Sequence, residues 1–208
     1  MGTRGLFGFT VDGQAKMTYN HWDSYPTGLG VEVVTFTRNA LDGRDALPNR
    51  VRSITCVDGK TPPTDVDKAN LRRFTDLSVG SQSLDDWYCL LRNTQGNLTG
   101  ILDSGYMLVE NDEETGLPAF GFDSLFCEWA YAIDLDANAI EVYRGFRNEP
   151  PVKGLWAAYP DREDRGYYAI TRIVVLPFTA FAAWSDGEIL DWAEDTEADV
   201  NSKEAEHA

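Results

Sequence analysis

The chain has two imidazoles, His21 and His207, and only His21 stands among side chains that could do chemistry with it. Arg4, Tyr19, Asp23, Ser24 and Tyr25 make up the rest of that set. A guanidinium holds a carboxylate or phosphate through paired N–H donors. An imidazole titrates near neutrality, and a carboxylate beside it orients the ring and raises its pKa. Arg4, Tyr19, His21, Asp23, Ser24 and Tyr25 therefore read as a pocket for a small polar or anionic molecule. The same groups also suit a satisfied network that pins a loop to a sheet, and both readings stay open. No catalytic residue is assigned.

What would bring these residues together is a hairpin. Residues 3–11 alternate around Phe7, Phe9 and Val11, Asp12-Gly13 follows, and a second run extends from Gln14 to about Trp22. Asp-Gly between two such runs is a type I′ turn signal. A two-residue turn sets Val11 opposite Gln14, Phe9 opposite Lys16, Leu6 opposite Tyr19 and Arg4 opposite His21. Period-two alternation then gives one face to Arg4, Leu6, Met17, Tyr19 and His21, with Asp23 just beyond. The other face takes Phe7, Phe9, Val11 and Thr18. The polar set lies at the open end of the hairpin, beside the Ser24-Tyr25 loop.

Further along, residues 29–41 place Leu29, Val33, Phe36 and Ala40 at helical spacing with Gly43 as a stop, although β-branched residues keep a strand in contention. Residues 51–57 suggest a short strand or return loop. Thr64 and Asp67 form a capping box for a helix to about Asp76. Ser83 and Asp86 repeat that pattern before Leu84, Trp87, Tyr88 and Leu91, the clearest helical stripe in the chain. A short helix is expected around Leu98, Ile101 and Leu102, and residues 109–122 read as loop. Residues 126–135 and 139–143 form a second hairpin, and 167–176 a strand ended by Pro177. A helix covers 187–193, and residues 194–208 read as an acidic, disordered tail. The order implies a single α+β domain over residues 1–193. Its mostly antiparallel sheet is built from the N-terminal hairpin and C-terminal strands, with helices between.

Bulk properties narrow the functions. Hydrophobic residues make up 43% of the 208, enough for one real core. The formal charge of −16 repels phosphate backbones, so nucleic acid is an unlikely partner, while a basic protein partner is possible. Arg72 with Arg73, and Arg144, Arg147, Arg162 and Arg165, read as solvated surface charge. No stretch is long enough to span a bilayer, so no membrane partner is expected. Cys56, Cys89 and Cys127 read as buried thiols of a reducing compartment, and with no signal sequence the expectation is cytoplasmic. No metal-ligand spacing or phosphate loop occurs, and no cofactor is expected. Asp85-Asp86 reads as helix capping, Asp134 and Asp136 as turn chemistry, and Glu128 as a solvent-facing strand residue.

Met1 to Gly5, the run Tyr19 to Gly30, Asp85-Asp86-Trp87-Tyr88 and the segment Cys127 to Asp136 together resemble an uncharacterised family of bacterial, phage and fungal proteins. That resemblance implies no mechanism. A fainter layout, with Thr3, Asp12-Gly13, Asn20 and Asp23, is similar to the opening of N-terminal-nucleophile hydrolases of the choloylglycine type. There Gly2 stands where the nucleophile belongs, and the Asn20 to Asp23 spacing is one residue longer. The likeness implies such a fold without its hydrolase. The leading expectation is a ligand binder at the hairpin end. By analogy alone, a sponge for a nucleotide-type signal fits it. The alternatives are a hydrolase using His21 and Asp23, and an acidic protein–protein inhibitor such as a phage anti-defence protein.

Overall fold

The computed structural model describes residues 2–41 and 46–205. The first hairpin forms in the expected register. Strand β1 (Gly5–Val11) pairs antiparallel with β2 (Gln14–Asn20), Val11 facing Gln14 and Leu6 facing Tyr19. Asp12 and Gly13 both adopt positive φ, 53° and 71°, as a type I′ turn demands. The Asp136 carboxylate accepts hydrogen bonds from both turn amides, at 3.0 and 2.8 Å. Strands β5 (Trp129–Asp134), β6 (Ala139–Arg144) and β9 (Thr171–Pro177) complete a five-stranded sheet in the order β2-β1-β5-β6-β9. Only the central β1–β5 pair of that sheet is parallel. A parallel pair needs a crossover, and residues 21–128 supply it.

That crossover holds α1 (Val31–Ala40), α2 (Leu47–Arg52), α3 (Asp65–Leu71), α4 (Trp87–Leu90) and α5 (Leu98–Ser104). It also holds a small parallel pair, β3 (Thr55–Val57) with β4 (Tyr106–Leu108). The strands β7 (Glu163–Asp164) and β8 (Tyr167–Tyr168) form a further two-stranded piece, and α6 (Phe178–Phe181) and α7 (Asp186–Ala205) end the described chain. Strand alternation splits the core into two layers. Phe7, Phe9, Trp129, Tyr131 and Val142 face inward onto Val33 and Val34 of α1 and Ile189 of α7. Leu6, Met17, Ala130, Ala132 and Tyr143 face the other way, beneath Trp156 and Ile170. The α+β fold with a mostly antiparallel sheet is thus as expected, and no described helix is long and apolar enough to cross a membrane.

Several local expectations are corrected. The stripe over residues 83–91 yields only a four-residue helix, capped by Asp86 and not by Ser83. Gly80 and Gln82 take left-handed φ of 55° and 56°, so the chain is still turning there, and Leu84 is left exposed. Residues 51–57 divide between α2, whose Leu47 and Val51 bury one turn apart, and the short β3. The strand expected over 167–176 breaks because the Ile170 amide donates to the Gly121 carbonyl instead of a sheet neighbour. Cys89 and Cys127 are buried, but Cys56 is exposed. The Gly43 stop lies outside the described residues. The capping box on α3 forms as read, with the Thr64 hydroxyl accepting from the Asp67 amide.

The largest correction is the tail. It is not disordered from residue 194: α7 runs on to Ala205. Ile189, Ala193 and Val200 are buried at i, i+4 and i+11, with half-buried Thr196 at i+7 completing the stripe. The Thr27 hydroxyl also donates to the Glu197 carboxylate at 3.0 Å.

Candidate functional site

Strand β2 is an edge of the main sheet. Pairs in an antiparallel ladder alternate between hydrogen-bonded and non-bonded. Val11 and Gln14 bracket the turn as a bonded pair, so Met17 and Tyr19 fall at non-bonded positions. Their backbone N–H and C=O therefore point away from β1. Alongside that edge lies β4, which joins a different sheet. A cavity of about 300 Å³ fills the space between. Its apolar walls come from Leu6 and Met17 of the hairpin, Ile101 of α5, Met107 and Leu108 of β4, and Phe120.

Polar groups gather where Tyr19 and Tyr88 border the cavity. The Tyr19 hydroxyl lies 2.9 Å from Nδ1 of His21, and its ring meets Phe120 edge-on at 5.2 Å. The His21 ring packs edge-on against Trp22 at 4.4 Å. Arg92 donates to the Gln95 side chain, which itself lines the cavity, and its guanidinium lies 5.9 Å from the Tyr88 ring. Arg4 stacks 4.9 Å over Phe126, close enough to both Tyr19 and His21 for its charge to act on each.

Electrostatics favour the neutral form of both groups. Burial pushes the Tyr19 phenol up from its ordinary value, with Arg4 opposing, so the hydroxyl keeps its proton. His21 is moved down, first by burial and then by the Arg92 and Arg4 charges. The expectation that a carboxylate would raise it is overturned, because the charges acting on it are cationic. A protonated phenol both donates and accepts, so the 2.9 Å contact suits either neutral tautomer of His21, with Tyr19 donating to Nδ1 or accepting from it. The Arg92 and Arg4 guanidiniums add positive potential around the ring.

The six residues expected to cluster do not all meet. Arg4, Tyr19 and His21 do. Asp23, at φ 53°, is exposed, and its carboxylate sits so close to Gly28 that a Cβ there would lie 2.5 Å from Cγ. Its carbonyl accepts from the Leu29 amide at the entry to α1. Ser24 is fully buried: its hydroxyl accepts from Asn20, its amide donates to the Thr3 carbonyl, and its carbonyl accepts from the Tyr131 hydroxyl. Tyr25 is 38% exposed, and its carbonyl accepts from the Gly28 and Gly30 amides. Ser24 therefore belongs to a network that anchors the loop, and Asp23 and Tyr25 belong to the turn into α1.

The cavity walls from Tyr88 to Phe120, together with Arg92, were not foreseen. The one sequence signal near them was the Asp85-Asp86-Trp87-Tyr88 run. Among the described residues no three His, Cys, Asp or Glu side chains gather as a metal site. No family model, no curated protein and no solved structure matches the chain.

Proposed function

We propose that this protein binds a small amphipathic anion, its apolar part in the cavity beside β2 and its charged group among Arg4, Arg92 and the Nε2–H of His21. One observation carries the reading: on a chain of formal charge −16, two residues that line an apolar cavity, Tyr19 and Gln95, are hydrogen-bonded to His21 and Arg92, with Glu110 as the acidic residue of the lining. Apolar walls with a few convergent polar groups are the usual make-up of a small-molecule site, and about 300 Å³ is at the small end of the range. Such a volume takes one ring system or a short chain. A nucleotide-type ligand would place its base inside and its phosphate at the rim.

Binding is favoured over hydrolysis by the imidazole itself. In this reading Tyr19 donates to Nδ1 and Nε2 carries the proton. It can offer a hydrogen bond to an anion but has no lone pair free for a nucleophile's proton. The test is a thermal-shift series with benzoate, octanoate and adenosine monophosphate, run on wild type and Arg92→Ala. A saturable rise of the midpoint in wild type that is absent in the variant supports the reading. No rise with any of the three, or equal rises in both proteins, overturns it.

A further inference from the structure

Glu110 is the acidic residue of the cavity lining, and anion binding leaves it without a role. It follows β4, and its carbonyl accepts from the Ala119 amide at 2.8 Å. That pairing sets it on the wall that carries Leu108 and Phe120. Tyr19 and Gln95, through which the site reaches His21 and Arg92, come from β2 and from the segment between α4 and α5. The acidic and the basic groups therefore belong to different walls.

Glu110 is exposed, and among the described residues its side chain has no hydrogen bond or ion pair. Arg4 stacks on Phe126 and Arg92 bonds to Gln95, so neither cancels the carboxylate. In the free protein its exposure lets solvent satisfy it. An occupant of the cavity displaces that solvent. An apolar tail laid over the carboxylate returns nothing for it, and affinity suffers. A planar pair of N–H donors returns two bonds at once, one to each oxygen, as an arginine fork does. Tyr19, Tyr88 and Phe120 give the lining aromatic side chains on which a flat group can pack.

We propose that Glu110 selects the ligand: a flat, two-ended molecule with its anion toward His21 and Arg92 and a pair of adjacent N–H donors for the Glu110 carboxylate. This rests on the anion-binding reading and narrows it. Amidines, guanidines and the Watson–Crick edge of guanine all present such a pair. Adenine sets its amine beside a ring-nitrogen acceptor, which a carboxylate repels, so it is the poorer base. Anions with plain apolar tails bind more weakly for the same reason, since they cover the carboxylate without pairing it. The apolar walls supply affinity, and the unpaired acid supplies discrimination.

Isothermal titration of matched pairs into the full chain tests this. One pair is para-amidinobenzoate against benzoate. The other is guanosine monophosphate against inosine monophosphate, which lacks only the exocyclic amine. The pair that responds tells a nucleotide from another flat ligand. In at least one pair, wild type should bind the donor-bearing member roughly tenfold or more tightly. Glu110→Leu should erase that preference and keep the affinity for benzoate, while Glu110→Gln, which retains one acceptor, should fall between. Arg92→Ala should weaken both members of a pair and keep their ratio. Equal affinities within both pairs, or a preference that survives Glu110→Leu, overturns the role of Glu110 and leaves anion binding standing. Affinities unchanged by Arg92→Ala overturn the anion end, and no binding of any of the four compounds overturns both.

Discussion

The Tyr19 hydroxyl and the Nδ1 of His21 lie 2.9 Å apart on the same face of edge strand β2, two residues from one another. Burial raises the pKa of the phenol, and burial together with the Arg92 and Arg4 charges lowers that of the imidazole, so the surroundings favour the neutral form of both. The outcome is an imidazole under the charge of two guanidiniums, bonded to a tyrosine that lines an apolar cavity.

A pH dependence follows. The folded-state pKa of His21 is below the ordinary 6.5, so the unfolded chain binds more protons through that window. The stability His21 contributes is present above pH 6.5 and is lost as pH falls through the lowered folded value. An NMR titration should show its imidazole titrating below 6.5. Arg92→Ala removes a repelling charge and should raise the value; an unchanged or lower value would count against the arrangement. A bound anion favours the charged ring, so anion affinity should strengthen as pH falls toward the lowered folded value.

Filling the cavity should separate binding from folding. Leu108 is half-buried on the cavity wall, with open volume beside it. Leu108→Trp should therefore abolish the ligand-induced rise in midpoint while shifting the unliganded midpoint little, since added volume enters space that is already open. A large unliganded loss would mean that the wall is closed where the structure leaves it open.

The end of α7 should matter to stability. Val200 is 9% exposed and belongs to the main core. Val200→Ala removes two buried carbons, a loss of about 1–2 kcal/mol, which corresponds to a fall in midpoint of about 3–6 °C for a chain of this size. Truncation after Ala193 removes the whole second half of the stripe and should cost more. A truncated chain that melts with wild type would show that this segment contributes nothing.

On the outer face, Glu141 is 8% exposed and bonded to both the Tyr143 hydroxyl and Arg172. Arg172→Ala leaves that carboxylate nearly buried with its charge unpaired. The expected cost is roughly 2 kcal/mol, below the ~3–5 of a fully buried pair because the Arg172 side chain is 30% in solvent. Replacing both, Glu141→Leu with Arg172→Met, should cost less than Arg172→Ala alone. Denaturant unfolding of the three proteins measures the order.

The hairpin was legible in the sequence because its causes are local. Asp12-Gly13 dictates positive φ at two adjacent positions, and with that turn fixed, alternation alone puts Leu6 opposite Tyr19 and Phe7 in the core. The Thr64 capping box was legible for the same reason, since its two bonds close within one turn. The stripe from Leu84 to Leu91 misled because helical spacing states which residues would share a face, not whether glycine and turn conformations upstream allow the helix to start. Asp23 misled because nearness in sequence to His21 says nothing of direction once the strand ends, and a left-handed residue there turns the chain toward Gly28. What the sequence by itself determined is an α+β fold with Arg4, Tyr19 and His21 at one hairpin end. The tertiary structure alone decided that β2 is an edge, that residues from Tyr88 to Phe120 wall a cavity against it, and that burial, with the Arg92 and Arg4 charges, lowers the pKa of the imidazole. Each of these depends on contacts between segments far apart along the chain, and such contacts are chosen by the packing of the whole core, which no local pattern encodes.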